Sequence, residues 1–202
     1  MLTKWDADAV ESIANCLNAG GVVLLPTDTV YGLAILPGSE HSKNRVYTLK
    51  RRPGNVNLPI MVSSPDELEG LGFDVNEAAT RLLHSPLVPG SLTIAMGFRP
   101  GFRPPWLEGR VEAAIRIPDD DCLLSVLRRT GPLLVTSANA HGAETPESLN
   151  DVLAQLEGQP DLSVEGGLLH TVPSTLVNCR LEPPVVERVG VISEAEVMEF
   201  LK

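Results

Sequence analysis

Helix-period and strand-period segments alternate along the whole of this 202-residue chain, and that interleaving predicts one α/β (α+β) domain, a twisted mixed sheet flanked by helices. Two further observations agree. The 17 glycines and 17 prolines are dispersed, which implies many turns between short elements and excludes a fold of long helices. The sequence has no internal repeat and no linker long enough to divide it, so residues 1–202 are expected as one domain with its core over about 7–190. With 43% hydrophobic and 21% charged residues, the composition supports a substantial core.

In chain order, Val10, Ile13, Ala14 and Leu17 repeat at helical spacing, predicting a helix over 7–18 capped by Asp6 and stopped by Gly20 and Gly21. Val22 to Leu25 has the length and branching of a buried strand, which Pro26 ends because it offers no backbone donor. Thr27, Asp28 and Thr29 then stand beyond a strand end, where open α/β sheets place ligand-binding groups. Gly32 allows the loop to turn, with Val30, Tyr31 and Leu33 as its anchors. The turn Pro37-Gly38-Ser39 caps a helix over 40–49, which delivers Lys50, Arg51, Arg52 and Pro53 at its end; basic residues there are also favourable against the helix dipole alone.

Residues 57–62 read as a strand, Ser63-Ser64-Pro65 as the start of a short helix, and 75–84 as a one-sided helix. A loop over 86–89 runs into a strand ending at Met96. Segment 97–105, rich in Gly, Pro and Arg, is either an exposed connection or a cavity wall, with Trp106 pinning its far end. Val111, Ala113 and Ile115 alternate in a strand closed by Pro118, and Asp119 to Asp121 open a helix over 122–129. Leu133 to Val135 form another buried run that stops at Thr136-Ser137-Ala138-Asn139. A helix is expected to start at Thr145-Pro146-Glu147 and run to about 156, followed by brief strands near 162–164, 174–177 and 185–189 and a last helix over 194–201.

A formal charge of -10 argues against non-specific binding to a nucleic-acid backbone, yet leaves room for a small anion held by local arginines. Cys16, Cys122 and Cys179 are an odd set without a close pair, which fits a reducing compartment and offers no metal unit. Lys4 and Asp6 stand where a signal peptide needs its apolar core, and no run approaches 18 apolar residues, so the chain is expected in the cytoplasm without a membrane contact.

Three buried-type strands end in polar groups: Thr27 to Tyr31, Arg116, and Ser137 with Asn139. Each is also explicable as a local cap or turn residue, and only their repetition suggests a shared cavity. Lys50, Arg52 and Arg116 are the cations expected in it; Arg51, Arg99, Arg103 and Arg110 read as surface groups. His41, His84, His141 and His170 are scattered without metal-ligand spacing, and the chain has neither a G-x-x-x-x-G-K-[ST] loop, a G-x-G-x-x-G fingerprint nor a G-x-S-x-G elbow. Nothing identifies a base for Ser137. Positioning and charge stabilisation suit this inventory better than covalent catalysis.

Six stretches resemble, in order, the signatures of the YrdC-like threonylcarbamoyl-adenylate synthases: Pro26 to Leu33, Leu49 to Pro53, Pro89 to Thr93, Ala114 to Pro118, Val135 to Asn139 and Pro173 to Val177. The first and fifth are the most specific. The resemblance implies a twisted mixed sheet around a positively lined cavity, and condensation of L-threonine, bicarbonate and ATP to threonylcarbamoyl-adenylate and pyrophosphate for tRNA modification. It further implies threonine contacts at Thr29, Tyr31, Arg116 and Thr175, and nucleotide contacts at Lys50, Arg52, Ser137, Asn139 and Arg188, with Lys50 and Arg52 acting on the phosphates. ATP would enter as substrate with Mg2+ held mainly by its phosphates, and downstream tRNA-modification proteins would be partners.

The chain departs from the family pattern at Asn57 and Met61, where a lysine-type donor and a histidine are usual, and at Pro89-Gly90-Ser91. Arg51 or Arg99 would be the substitutes for a missing charge. Two alternatives stay open: a paralogue that binds nucleotide or RNA without turnover, and a related carbamoyl-adenylate enzyme with a different acceptor.

Overall fold

A computed structural model describes residues 2–52, 57–101 and 103–202 of the chain. The elements in order are β1 (Leu2–Lys4), α1 (Ala7–Asn18), β2 (Val23–Leu25), β3 (Gly32–Ile35), α2 (Glu40–Lys50), β4 (Ile60–Met61), α3 (Glu67–Gly70), α4 (Glu77–Leu83) and β5 (Leu92–Gly97). They continue with a 3-10 turn (Pro105–Leu107), β6 (Glu112–Arg116), α5 (Asp121–Thr130), β7 (Leu133–Ser137), α6 (Leu149–Gln155), β8 (Leu162–Glu165), β9 (Thr175–Asn178), β10 (Val185–Arg188) and α7 (Glu194–Glu199). Pro53, the last residue of the second motif, lies outside the described residues.

All ten strands join one mixed sheet in the order β1-β8-β2-β3-β7-β4-β6-β5-β9-β10. The α/β fold class read from the interleaved periods is therefore the observed one. Helices α1 and α5 pack against each other, and Trp5 Nε1 donates to Asp120 Oδ2 at 3.0 Å beside them. Ile13, Leu17, Leu24, Leu33, Ile35 and Ile60 are fully buried between sheet and helices. At about 25 cal/mol per Å2 of apolar surface, each such side chain contributes about 2 kcal/mol, which makes this layer the main driving force for folding.

Caps set the helix limits where side chains can reach the free amides. Asp6, Ser39 and Asp120 each accept from the first turn of the helix they precede. Ser148, rather than Thr145, caps α6: its hydroxyl accepts from the Asp151 amide, so the helix starts three residues after Pro146. Leu133 to Val135 extends through Ser137, because Thr136 and Ser137 pair with Leu33 and Gly32. The strand at 57–62 is reduced to Ile60–Met61.

Strand β3 carries no sequence signal of its own. Gly32 to Ile35 is short and begins with a glycine, and what makes it a strand is antiparallel pairing with β2 on one side and β7 on the other. A Cβ at position 32 would fall 2.9 Å from Val135 Cγ1, so glycine is what allows the two strands to close there. Residues 2–4, outside the expected 7–190 core, also join the sheet by parallel pairing with β8.

Candidate functional site

Consecutive strands β3, β7, β4, β6, β5, β9 and β10 curve around a cavity of about 330 Å3. Thr29, Arg52, Arg116, Ser137 and Arg188 all line it, so residues spread over 160 positions of sequence meet on one wall. Each arrives by a different route. Arg52 follows the end of α2, where Arg51 turns the chain through a left-handed conformation (φ 52°). Arg116 is the last residue of β6, Ser137 the last of β7, and Arg188 the last of β10.

The loop between β2 and β3 is wired by hydroxyls. Thr27 Oγ1 donates to the Val30 carbonyl at 2.7 Å and accepts from the Thr29 and Val30 amides. Its one proton is thereby used, so in the 3.1 Å contact between the two hydroxyls Thr29 is the donor. Thr29 Oγ1 in turn accepts from Arg116 Nη1 at 2.8 Å. Arg116 also donates through Nε to the Gly90 carbonyl at 2.9 Å and forms an ion pair with Asp28, Nη2 to Oδ2 2.7 Å, that lacks the alignment of a hydrogen bond. Asp28 Oδ1 is buried with no donor among the described residues. Burial pushes the Arg116 guanidinium below its usual range, and the Asp28 carboxylate opposes that shift.

Lys50 does not reach the cavity wall. It is 2% exposed and lies behind the loop after β7, where Nζ donates to the Asn139 carbonyl at 2.6 Å, to Asn139 Oδ1 at 3.3 Å and to the Ser137 carbonyl. Burial first, and the Arg52 charge second, lower its pKa to about 7, while the three oxygen acceptors favour the ammonium. Asn139 is likewise turned inward. Its Oδ1 accepts from Ser137 Oγ at 2.6 Å and its Nδ2 donates to the Ala140 and Ala143 carbonyls. Both residues hold the Ser137 loop in place; the cavity itself is met by Ser137.

Two residues expected at the site stand away from the cavity lining. Tyr31 is fully buried and does not line the cavity: its hydroxyl donates to the Gly167 carbonyl at 2.8 Å and accepts from the Gly166 amide at 3.0 Å, on the side of β8. Side chains alternate along an extended segment, so Thr29 and Tyr31 would share a face only if residues 29–31 were a strand, and they are a loop. Thr175 is also fully buried. Its Oγ1 donates to the Ile192 carbonyl and accepts from the Gly190 and Ile192 amides, fastening β9 to the segment after β10.

Arg51 and Arg99, the expected substitutes for a missing charge, face outward in ion pairs with Glu157 and Glu69. Arg110 does the opposite of what its sequence context suggests. It lines the cavity, and its Nη1 is buried without a hydrogen-bond partner among the described residues. Two hydroxyls also went unread as site groups: Thr93 Oγ1 and Ser174 Oγ lie 2.7 Å apart on the cavity wall, and Ser174 accepts from Arg188 through its carbonyl at 2.9 Å. Arg110 has no signal in the sequence, whereas Thr93 and Ser174 are polar residues within buried strand runs. Asn57 and Met61 both line the cavity.

Among the described residues no three His, Cys, Asp or Glu side chains gather as a metal site. No helix among them is long and apolar enough to cross a membrane.

Fold and cavity together define an α/β protein whose open sheet wraps an arginine-lined pocket. Residues 15–190 match the model of the Sua5, YciO and YrdC family, described as "Telomere recombination", and the chain belongs to that family. It is 31% identical over 176 residues to a putative threonylcarbamoyl-AMP synthase of Methanocaldococcus jannaschii, covering 86% of this chain and 81% of that protein. It is 30% identical over 207 residues to the threonylcarbamoyl-AMP synthase of Bacillus subtilis, covering 96% of this chain and 60% of the relative. Among solved structures, Pyrococcus abyssi Sua5 complexed with L-threonine superposes with a TM-score of 0.88 at 26% identity, over 99% of this chain and 60% of that one. Escherichia coli YciO superposes with a TM-score of 0.82 at 27% identity, over 96% of both chains. The chain thus spans about 60% of the length of the Bacillus and Pyrococcus proteins.

Proposed function

We propose that this protein is an L-threonylcarbamoyladenylate synthase, a nucleotidyltransferase-type enzyme that condenses L-threonine, bicarbonate and ATP and releases pyrophosphate, acting in the cytoplasm ahead of tRNA-modification proteins. The observation that carries this reading is a cavity lined by four arginines, Arg52, Arg110, Arg116 and Arg188, of which, among the described residues, only Arg116 has a carboxylate partner. Such a wall suits a polyphosphate and an amino-acid carboxylate held together.

In this reaction the neutral amine of threonine attacks the carbon of CO2 derived from bicarbonate and loses a proton, giving the carbamate. A carbamate oxygen then attacks the α-phosphorus of ATP, and the bond from that phosphorus to the α,β-bridging oxygen breaks with pyrophosphate as leaving group. In this reading Arg116 and Thr29 orient threonine, and Arg52, Ser137 and Arg188 hold the nucleotide; that all five line one cavity supports it. Guanidiniums fixed in a partly dry cavity stabilise the charge that builds on the leaving group. Enclosure also keeps water from a carbamate that decomposes in it. Mg2+ bound to the triphosphate would neutralise further charge.

A second reading rests on Asn57 and Met61. Both stand on the wall, one neutral and one apolar, where the family pattern has polar or charged groups, which favours a paralogue that binds nucleotide without turnover. Incubation with ATP, Mg2+, labelled bicarbonate and L-threonine separates the two. Pyrophosphate and a labelled mixed anhydride that require all four components support the synthase; nucleotide binding without pyrophosphate release supports the paralogue. Release with another amino acid in place of threonine reassigns the acceptor.

A further inference from the structure

The four cavity arginines fall into two pairs. Arg116 and Arg188 oppose each other electrostatically and are both supplied with protein acceptors: Asp28, Thr29 and Gly90 for the first, Ser174 for the second. Arg52 and Arg110 are the other two, and both line the cavity. This pair is poorly supplied. Among the described residues Arg52 donates once, from Nη1 to Thr136 Oγ1 at 3.1 Å, and its Nε is buried without an acceptor. Arg110 donates no side-chain hydrogen bond among the described residues, and its Nη1 is buried. Buried guanidinium hydrogens are costly to leave unpaired, so two of them on two arginines that line one cavity point to an anion that completes the set.

Arg110 is also held in place by a built support. Phe73 and Phe98 stack with centroids 4.9 Å apart, Arg103 lies over the Phe98 ring at 4.6 Å, and Arg103 Nη1 donates to the Arg110 carbonyl at 2.9 Å. The chain through Arg103 fixes the backbone from which the Arg110 side chain enters the cavity. A cation–π contact of this kind favours one position for the loop residue that makes it.

We propose that Arg110 is a further anion-binding residue of this cavity, gripping the polyphosphate of the nucleotide together with Arg52, and that Arg103 is its positioning residue. This rests on the nucleotide-binding reading of the cavity and adds the group that stands in for the charge lost at Asn57. Arg116 and Arg188 would then serve the rest of the substrates.

The test is calorimetric titration of the full chain with ATP, AMP, inorganic tripolyphosphate and L-threonine. For Arg110→Gln the expected result is a ten- to hundredfold weaker affinity for ATP and tripolyphosphate, a shallower salt dependence, and less than a twofold change for AMP and L-threonine. Arg110→Lys recovers part of the tripolyphosphate affinity, since it returns the charge without the fork. Arg103→Gln weakens tripolyphosphate binding less than Arg110→Gln and leaves AMP unchanged. Equal affinities of Arg110→Gln and the parent protein for tripolyphosphate overturn the proposal while the nucleotide site stands. A parallel loss of AMP, ATP and threonine binding overturns it as well, because the residue would then serve the fold. If the parent protein binds neither ATP nor tripolyphosphate, both the proposal and the nucleotide reading fall.

Discussion

The Lys50 ammonium lies 2.6 Å from the backbone carbonyl of Asn139, inside the protein and behind the cavity wall. A basic residue that the motif suggests as a phosphate ligand is here a support for the loop that presents Ser137. Its burial and the nearby Arg52 charge lower its pKa to about 7 from an ordinary 10.5. Between those values the unfolded chain carries more protons than the folded one, so folding becomes more favourable as pH rises from about 7 to about 10.5. Chemical denaturation of the protein and of Lys50→Met at pH 7 and pH 10 should show the parent gaining stability relative to the variant at the higher pH. A constant difference would mean that the three oxygens keep Lys50 charged throughout.

Arg116 and Asp28 form an ion pair with side chains 6% and 11% exposed. Removing one partner of a buried pair leaves the other charge without compensation, and Arg116→Ala is expected to cost about 3 kcal/mol. The double variant Asp28→Asn, Arg116→Ala should recover part of that loss in urea unfolding. In steady-state kinetics Arg116→Ala should raise the KM for L-threonine more than the KM for ATP; equal damage to both removes Arg116 from the threonine site.

Tyr31→Phe separates the motif from the cavity. The hydroxyl bonds only to residues on the β8 side, so its loss should lower stability by about 1 kcal/mol and change the threonine KM by less than twofold. A tenfold rise in KM with unchanged stability would return Tyr31 to the substrate.

Thr175 holds three backbone groups of Gly190 and Ile192 with one hydroxyl. Thr175→Val keeps the shape and removes the bonds, leaving buried amides unpaired, and should cost about 2 kcal/mol. Because Arg188 lies two residues before Gly190, ATP affinity should fall with it, while Thr175→Ser retains both. Calorimetry and thermal unfolding on the two variants check the expectation.

Local chemistry written in the sequence was enough for much of this molecule. Periodicity placed the helices, Asp6, Ser39 and Asp120 marked their starts, and buried apolar runs ending in Thr29, Arg116 and Ser137 located strand ends that meet in one cavity. These features are legible because a cap, a period or a strand end depends on residues a few positions apart. The tertiary structure alone decided β3, which exists through pairing with β2 and β7, and the direction each polar side chain faces. Lys50, Asn139, Tyr31 and Thr175 turn into the protein, and Arg110 turns into the cavity. The physical reason is that the partners of Lys50 and Tyr31 come from segments 89 and 135 residues away, and only the closed sheet brings a carbonyl to one cation and leaves another facing the pocket.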